Sequence, residues 1–291
     1  MARTNDPAGG KAKAKMPVEG TSQTRKKKAP EPLAVNRDYT RRLQKLQTHA
    51  IIYERGIHLA ELKDTSLPKI VKDRVWEKFV QHPAVANVTL VRDFYASMVL
   101  KTFIAGGLVL VRGIEVQVTE DIINSYFGTT PIPQDELPLG YKTFDGTNGQ
   151  LAKLLRGNED DRWNRKHLLK QSQLPKDLAI LSLFILASLK PGTHVSSIAV
   201  KKAELLASFI SGAPMDIGRI IAEINDAGEI DLKEKKKKAK RPIPFPCLIT
   251  QLCRDAEAPE YDNDNIQNGG WAAVSLRSWT DSLSKGKGVR G

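Results

Sequence analysis

Cysteines and long hydrophobic runs are scarce in this sequence. Its 291 residues include only two cysteines, Cys247 and Cys253, which are too few for a disulfide framework and favour a reducing compartment. The longest strongly apolar run, residues 179–189, is shorter than the roughly 20 residues that cross a bilayer and predicts a buried core helix. No apolar segment accompanies the basic N-terminus, which argues against a secretory signal. We therefore expect an intracellular protein without membrane contact.

The residue patterns of common enzyme classes are also missing. The sequence has no GxxxxGK[ST] phosphate-binding loop, and its five histidines are scattered without a Cys or Ser partner in a motif. A zinc knuckle needs more closely spaced cysteines than this chain has. A two-metal nuclease needs carboxylates on a rigid mixed sheet, which is not predicted; the acidic residues considered for that role are Asp121, Glu136, Asp160, Asp161 and Glu223. The sequence thus predicts no enzyme, no cofactor, no metal and no small-molecule substrate.

The excess of positive charge is confined to two short segments. The chain has 45 Lys and Arg against 33 Asp and Glu, a formal net charge of +12. Residues 1–28 and residues 233–241 each contribute half of this excess, so the rest of the chain is formally neutral. This distribution indicates a neutral folded body with two basic segments. The candidate nucleic-acid-binding or targeting residues are Arg25, Lys26, Lys27, Lys28, Lys235, Lys236, Lys237, Lys238, Lys240 and Arg241.

These basic segments fit more than one role. Residues 25–28 have the composition of a nuclear import signal or of a nucleic-acid-binding arm, and we expect the nucleus rather than the cytoplasm. Lysines that neutralise phosphates release counterions, which gives sequence-independent and salt-sensitive binding to RNA or DNA. Neither run contains aromatic residues, so stacking on single-stranded bases is not indicated. The simpler interpretation, that a lysine run only keeps its segment solvated, stays open.

Hydrophobic periodicity predicts a mainly α protein. We expect a single multi-helix domain over residues 33–258 with one β-hairpin insert and a basic loop at 229–243. A disordered basic tail is predicted over residues 1–32 and a disordered polar tail over 259–291. The hairpin is predicted at 108–111 and 114–118, with Gly113 in the turn. Helices are predicted at 38–54, 68–81, 89–100, 119–127, 150–155, 163–170, 175–189, 199–211, 216–227 and 245–256.

Short motifs follow one another in an order that is similar to a known family. They are ERG at 54–56, FYA at 94–96, VRG at 111–113, FG at 127–128, Trp163 with LL at 168–169, PGTH at 191–194, KAELL at 202–206, GAPMDIGRII at 212–221 and FPCLITQLC at 245–253. On these motifs the chain resembles the putative plant transposon protein domain over about residues 51–259. The basic run at 233–241 falls in a variable insert of that family, so the resemblance assigns it no function.

The resemblance implies a structural or gag-like product of a long-terminal-repeat retroelement, with no assigned reaction. Together with the charge pattern, it favours a non-enzymatic, retroelement-derived protein that forms homo-oligomers or binds a protein partner. Its basic segments would give weak, sequence-independent affinity for RNA or DNA. The alternative is a host-domesticated protein-binding module with no nucleic-acid role. A third hypothesis is a metal-dependent nuclease, which cleavage assays with magnesium or manganese would test.

Overall fold

Helices make up most of the fold, seen in a computed structural model that describes residues 37–81, 85–98, 107–136, 147–157, 169–191, 197–227, 242–268 and 273–275. The helices are α1 (Arg37–Leu46), α2 (Leu67–Asp73), α3 (Val88–Ser97), α4 (Glu120–Phe127), α5 (Asn148–Arg156), α6 (Lys176–Phe184), α7 (Val200–Ser211), α8 (Ile217–Ala227) and α9 (Pro246–Asp255). Shorter helical turns are 3₁₀ turns at Leu59–Leu62, Gln134–Glu136 and Gln171–Gln173, and a π-helical turn at Ile185–Leu189.

The strands form antiparallel pairs. They are β1 (Val85–Asn87) with β6 (Ile266–Asn268), β2 (Leu108–Val111) with β3 (Ile114–Gln117), and β4 (Leu169–Lys170) with β5 (Ser197–Ile198). The prediction of a mainly α protein with a β-hairpin is therefore confirmed. The predicted tail at 1–32 lies outside the described residues, as do residues 228–241, which include most of the predicted basic loop.

The apolar helix α6 and the π-helical turn after it form the centre of the core. Every residue from 178 to 189 is buried, as expected for a helix that is apolar on all sides. The ring of Phe184 packs edge-on against Phe79, with 5.1 Å between centroids, and Phe79 makes the same kind of contact with Trp76 and Phe127. These aromatic pairs join α6 to α4 and to the segment after α2.

A two-residue turn closes the predicted hairpin. Arg112 and Gly113 both have positive φ, 51° and 85°, as in the type I′ turn whose twist matches that of the strands. Val109 and Val111 are buried on the face of β2 that packs against α3. Positive φ costs a non-glycine residue about 1–2 kcal/mol. Contacts of the Arg112 side chain therefore have to compensate for this strain.

The second helix ends earlier than predicted. It stops at Asp73 instead of continuing to residue 81, and Val75 has a φ of 56° and is 69% exposed. Val75 therefore does not share the buried face that its spacing predicted. The cause is a tertiary contact, because Nη2 of Arg74 donates to the carbonyl oxygens of Ser208 and Phe209 at the end of α7. The prediction was wrong here because helical periodicity carries no information about this contact.

The first helix is also shorter than predicted. It ends at Leu46 instead of residue 54, and the chain continues through residues 50–57 with two single β-bridges, Ile51 to Ile243 and Ile57 to Val274. Backbone amides and carbonyls in this stretch bond to residues that are distant in the sequence. These bonds take the place of the bonds to residues four positions away that a helix would make.

The polar segment after residue 258 belongs in part to the folded body. β6 pairs with β1, and Val274 is fully buried where it bridges to Ile57. The boundary of the C-terminal tail therefore lies later than residue 258, because residues 259–268 and 273–275 take part in the fold. Leu169 and Lys170, predicted as a helix end, form β4 instead, and the rest of that predicted helix lies outside the described residues.

Candidate nucleic-acid interface and buried polar clusters

All ten predicted basic site residues lie outside the described residues, but the points where their segments join the body are described. The N-terminal segment leads into α1. The second segment connects Ala227, at the end of α8, to Pro242. The described residues that adjoin the two segments are therefore taken as the candidate interface.

Helix α1 is amphipathic and basic. Leu46 is fully buried, and the hydroxyl of Tyr39 donates to Oδ1 of Asp93 in α3 at 2.9 Å. Burial, together with the Asp93 charge, raises the pKa of Tyr39, so this phenol stays a hydrogen-bond donor. On the exposed side, Arg41 lies 3.0 Å from Asp38, and a surface pair of this kind contributes less than about 1 kcal/mol. The pairing therefore contributes little to the stability of α1.

The end of α1 meets the point where the second basic segment rejoins the body. The amide of Ile243 donates to the carbonyl of Ala50 at 2.8 Å, and the amide of Ile52 donates back to Ile243 at 2.9 Å. The second basic segment therefore rejoins the body beside residues 50–52, beyond the C-terminal end of α1, whereas the N-terminal segment enters at Arg37, the first residue of this helix. We call the region between the two points the α1 corner: α1, residues 47–52, Arg92 and residues 242–243.

The α1 corner carries basic charge of its own. Arg92 donates to the side-chain oxygen of Gln47 at 3.1 Å, which places its guanidinium beside the end of α1. Arg42 donates to the carbonyl of Met98 at 3.0 Å. The basic residues described here are Arg41, Arg42, Lys45 and Arg92, and the acids are Asp38 and Asp93, the second of which accepts from Tyr39 of α1. Sequence reasoning recognised a basic helix here but gave it no site role, because its positive charge is balanced by acids elsewhere in a body that is neutral overall.

The carboxylates considered for metal catalysis are not assembled. Asp121 is exposed in the first turn of α4, and Glu136 is exposed at the end of a 3₁₀ turn. Asp160 and Asp161 lie outside the described residues, and so does the side chain of Glu223. Within the described part of the chain, no group of three His, Cys, Asp or Glu residues could hold a metal ion.

Arg112 is the centre of a buried cluster that ties the hairpin turn to α3 and to the C-terminal segment. Its Nε donates to Oδ2 of Asp93 at 2.7 Å, and Nη1 and Nη2 donate to the two carboxylate oxygens of Asp264 at 2.8 and 2.7 Å. The guanidinium lies 4.4 Å from the ring centroid of Tyr261. Burial alone would raise the pKa of Asp264, but hydrogen bonds from Arg112 and Asn87 hold it below its usual range. This is a bidentate ion pair with a structural role.

A second cluster joins α4 to α8. The side chain of Asn124 donates to Oδ1 of Asp216 at 2.8 Å and accepts the amide of Gly218 at 2.9 Å. Asp216 also accepts the amides of Arg219 and Ile132, both at 2.9 Å, so its carboxylate caps the start of α8. Every group in this cluster serves the packing of the two helices, which gives the GAPMDIGRII segment a structural explanation.

Glu54 caps helix α9 from a buried position. Its two carboxylate oxygens accept the amides of Cys247 and Leu248 at 3.0 and 2.8 Å, which satisfies donors in the first turn. Burial raises the pKa of Glu54, while these backbone bonds oppose the increase. With Tyr126 and six other residues, Glu54 lines a cavity of about 140 Å³. The carboxylate is thus engaged with α9, as is expected for a structural residue.

The two cysteines are buried, as predicted for small residues on a core helix. Burial raises the pKa of both thiols, and that of Cys253 rises to about 12. A thiol nucleophile requires the thiolate, which neither group supplies near neutral pH.

Together these features define a mainly helical domain whose buried carboxylates stabilise its own fold. In the described ranges, no helix is both long and apolar enough to span a bilayer. The family described as a putative plant retrotransposon-related domain matches residues 72–259, nearly two thirds of the chain, and the chain belongs to this family. The predicted family relationship is confirmed. Searches of curated proteins and of solved structures returned no significant match.

Proposed function

We propose that this retrotransposon-related protein is non-enzymatic, binds RNA or DNA weakly without sequence preference, and associates with copies of itself. The observation that supports the nucleic-acid role is the distribution of charge: the positive excess is confined to two short segments, which join the body at the two ends of the basic helix α1. The rest of the body has no excess of positive charge. Phosphate contacts would therefore concentrate in this region.

The proposed binding is electrostatic. Each phosphate that a lysine or arginine neutralises releases condensed counterions, so affinity falls as salt rises, with a slope of about 0.9 per phosphate on duplex DNA. The two basic segments supply most of the phosphate contacts, and exposed α1 residues such as Arg41 supply additional ones. The family description names no enzymatic activity, and the described carboxylates that are buried have partners within the fold.

Nucleic-acid affinity measured against salt concentration tests the proposal. The full chain is compared with a variant that lacks residues 1–28 and has Gln at the basic positions of 235–241. We expect a steep salt dependence for the full chain that becomes several-fold shallower in the variant. A control variant with Gln at Lys63, Lys69 and Lys72, which belong neither to a basic segment nor to the α1 corner, should leave the slope nearly unchanged.

The same titration separates the alternatives. No binding by the full chain at low salt would contradict the proposal and favour the protein-binding module, whose partners would survive nuclease treatment of an immunoprecipitate. Cleavage of nucleic acid with magnesium or manganese would instead support the nuclease hypothesis. Equal slopes for the full chain and the variant would show that other residues bind the phosphates.

We also propose that residues 25–28 direct the protein to the nucleus. A fluorescent protein fused to residues 1–32 is expected to accumulate there, because clustered lysines and arginine form the minimal pattern of such a signal. The same fusion with alanine at positions 25–28 is the control and should spread through the cell. Retention of the unmodified fusion in the cytoplasm would rule the signal out.

A further inference from the structure

Among the described strands, only β3 pairs with β2, and it does so along one edge, which leaves the outer edge of β2 unpaired by any of them. The amide of Val118 donates to the carbonyl of Gly107, and antiparallel pairs alternate, so Val109 and Val111 direct their backbone groups toward β3. The amides and carbonyls of Leu108 and Leu110 therefore point to the opposite edge. No backbone hydrogen bond from these two residues to any described residue is present. This edge is available for pairing with another strand.

The side chains beside that edge are apolar. Leu108 is 55% exposed and Leu110 is 58% exposed, and both lie on the outward face of the hairpin. The neighbouring strand presents Glu115 and Gln117 on the same face, opposite these leucines. Charged residues are a common protection of edge strands against pairing, so β3 is protected in this way and β2 is not.

We propose that two copies of this protein pair through the outer edges of β2, antiparallel about Val109, to form one four-stranded sheet. This deepens the self-association part of the proposed function by naming its surface. In this register Leu108 of one copy lies opposite Leu110 of the other, and both residues offer outward backbone groups to the pair. Leu108 and Leu110 lie on either side of Val109, so a two-fold axis through Val109 places each leucine opposite the other one. The same edge can therefore form both halves of a two-fold interface.

The side-chain rows across this sheet favour a second copy as the partner. Each row would contain Glu115, Leu110, Leu108 of the second copy and Gln117 of the second copy, in that order. Leucines meet leucines in the centre, polar residues form the rim, and no like charges lie opposite each other. Four half-exposed leucines bury far less than the roughly 1,200 Å² of a stable interface, so the dimer is weak and depends on concentration.

Sedimentation of the full chain, freed of nucleic acid by nuclease and high salt, tests this surface. We expect a monomer–dimer equilibrium whose association is at least about tenfold weaker with Leu108→Lys and Leu110→Lys together, because charges would face each other across the two-fold axis. Val75→Lys changes a residue that is 69% exposed outside the hairpin and should associate like the unmodified chain. Circular dichroism checks that each variant is folded.

Cysteine crosslinking tests the register. A chain with Leu108→Cys mixed with a chain carrying Leu110→Cys places Cα atoms about 5.5 Å apart, within disulfide range. Leu110→Cys alone places them roughly 7–8 Å apart on a diagonal and should crosslink poorly. A strictly monomeric chain, an unchanged dimer in the double lysine variant, or equal crosslinking in both cysteine experiments would overturn the proposal. Because no nucleic acid is present, these outcomes are independent of the salt titration.

Discussion

Replacing Arg112 by asparagine is expected to lower the free energy of unfolding by about 3–5 kcal/mol, the typical loss when one partner of a buried ion pair is removed. Asparagine tolerates positive φ, so the hairpin turn keeps its conformation and the change isolates the guanidinium. Without it, Asp93 and Asp264 remain buried without their cation. Urea denaturation followed by circular dichroism measures the loss.

The pH dependence of this loss identifies its cause. The pKa of Asp264 is held below its ordinary value of 3.8, so its contribution is complete above that value and disappears as the pH falls through the folded-state pKa. The stability difference between the unmodified chain and Arg112→Asn should therefore narrow below about pH 4. Burial raises the pKa of Glu54, which gives the opposite pH dependence, but this contribution is the same in both proteins and cancels in the difference.

Arg41→Asn is the matched control for Arg112→Asn. Arg41 pairs with Asp38 on the surface, with both side chains about two thirds exposed, and its loss should cost less than about 1 kcal/mol. If Arg112→Asn cost no more than Arg41→Asn, or if its cost stayed constant from pH 7 to pH 3, the ion pair would not be what holds the C-terminal segment to the hairpin.

The sequence predicts those helices and turns whose ends are marked by capping or turn residues at the ends themselves. Helix α4 begins after Thr119, whose hydroxyl accepts the amide of Ile122 at 3.1 Å, and it ends at Gly128 with a φ of 66°. Residue type and spacing are sufficient to predict that Thr119 caps the start of this helix and that Gly128 ends it. The turn at Gly113 is recognised in the same way. These elements were predicted within one or two residues of their observed ends.

Long-range polar contacts could not be predicted in this way. Asp264 lies in a segment whose polar composition is typical of a tail, yet it is buried by an arginine 152 positions earlier in the chain. The same holds for Arg74, whose contacts with α7 end a helix that periodicity would have continued. For the candidate interface, the sequence indicated the basic segments, but only the bridge between Ile51 and Ile243 shows that the second segment rejoins the body just beyond the end of α1.

Gly218→Ala is expected to destabilise the protein, although helix propensity alone predicts the opposite. In a helix, alanine is normally about 1 kcal/mol more favourable than glycine, so sequence reasoning would predict stabilisation. In α8, however, a Cβ atom at this position would lie inside van der Waals contact of the Glu120 carbonyl oxygen and 2.6 Å from Nδ2 of Asn124. A backbone oxygen cannot move aside as a flexible side chain can, so α4 and α8 would have to separate and the Asn124–Asp216 bonds would break. We expect a loss of about 3 kcal/mol or more, at the upper end for overpacking.

Gly157→Ala provides the comparison that distinguishes crowding from backbone strain. Gly157 has a φ of 74° but no atom near its missing Cβ, so alanine there should cost only about 1 kcal/mol through its conformation. Gly218 has no positive φ, and its cost comes from contact alone. Thermal or urea unfolding of both variants gives the two losses directly. A Gly218→Ala protein as stable as the unmodified chain would mean that α4 and α8 do not approach this closely, and the structural explanation of the GAPMDIGRII segment would be lost with that contact.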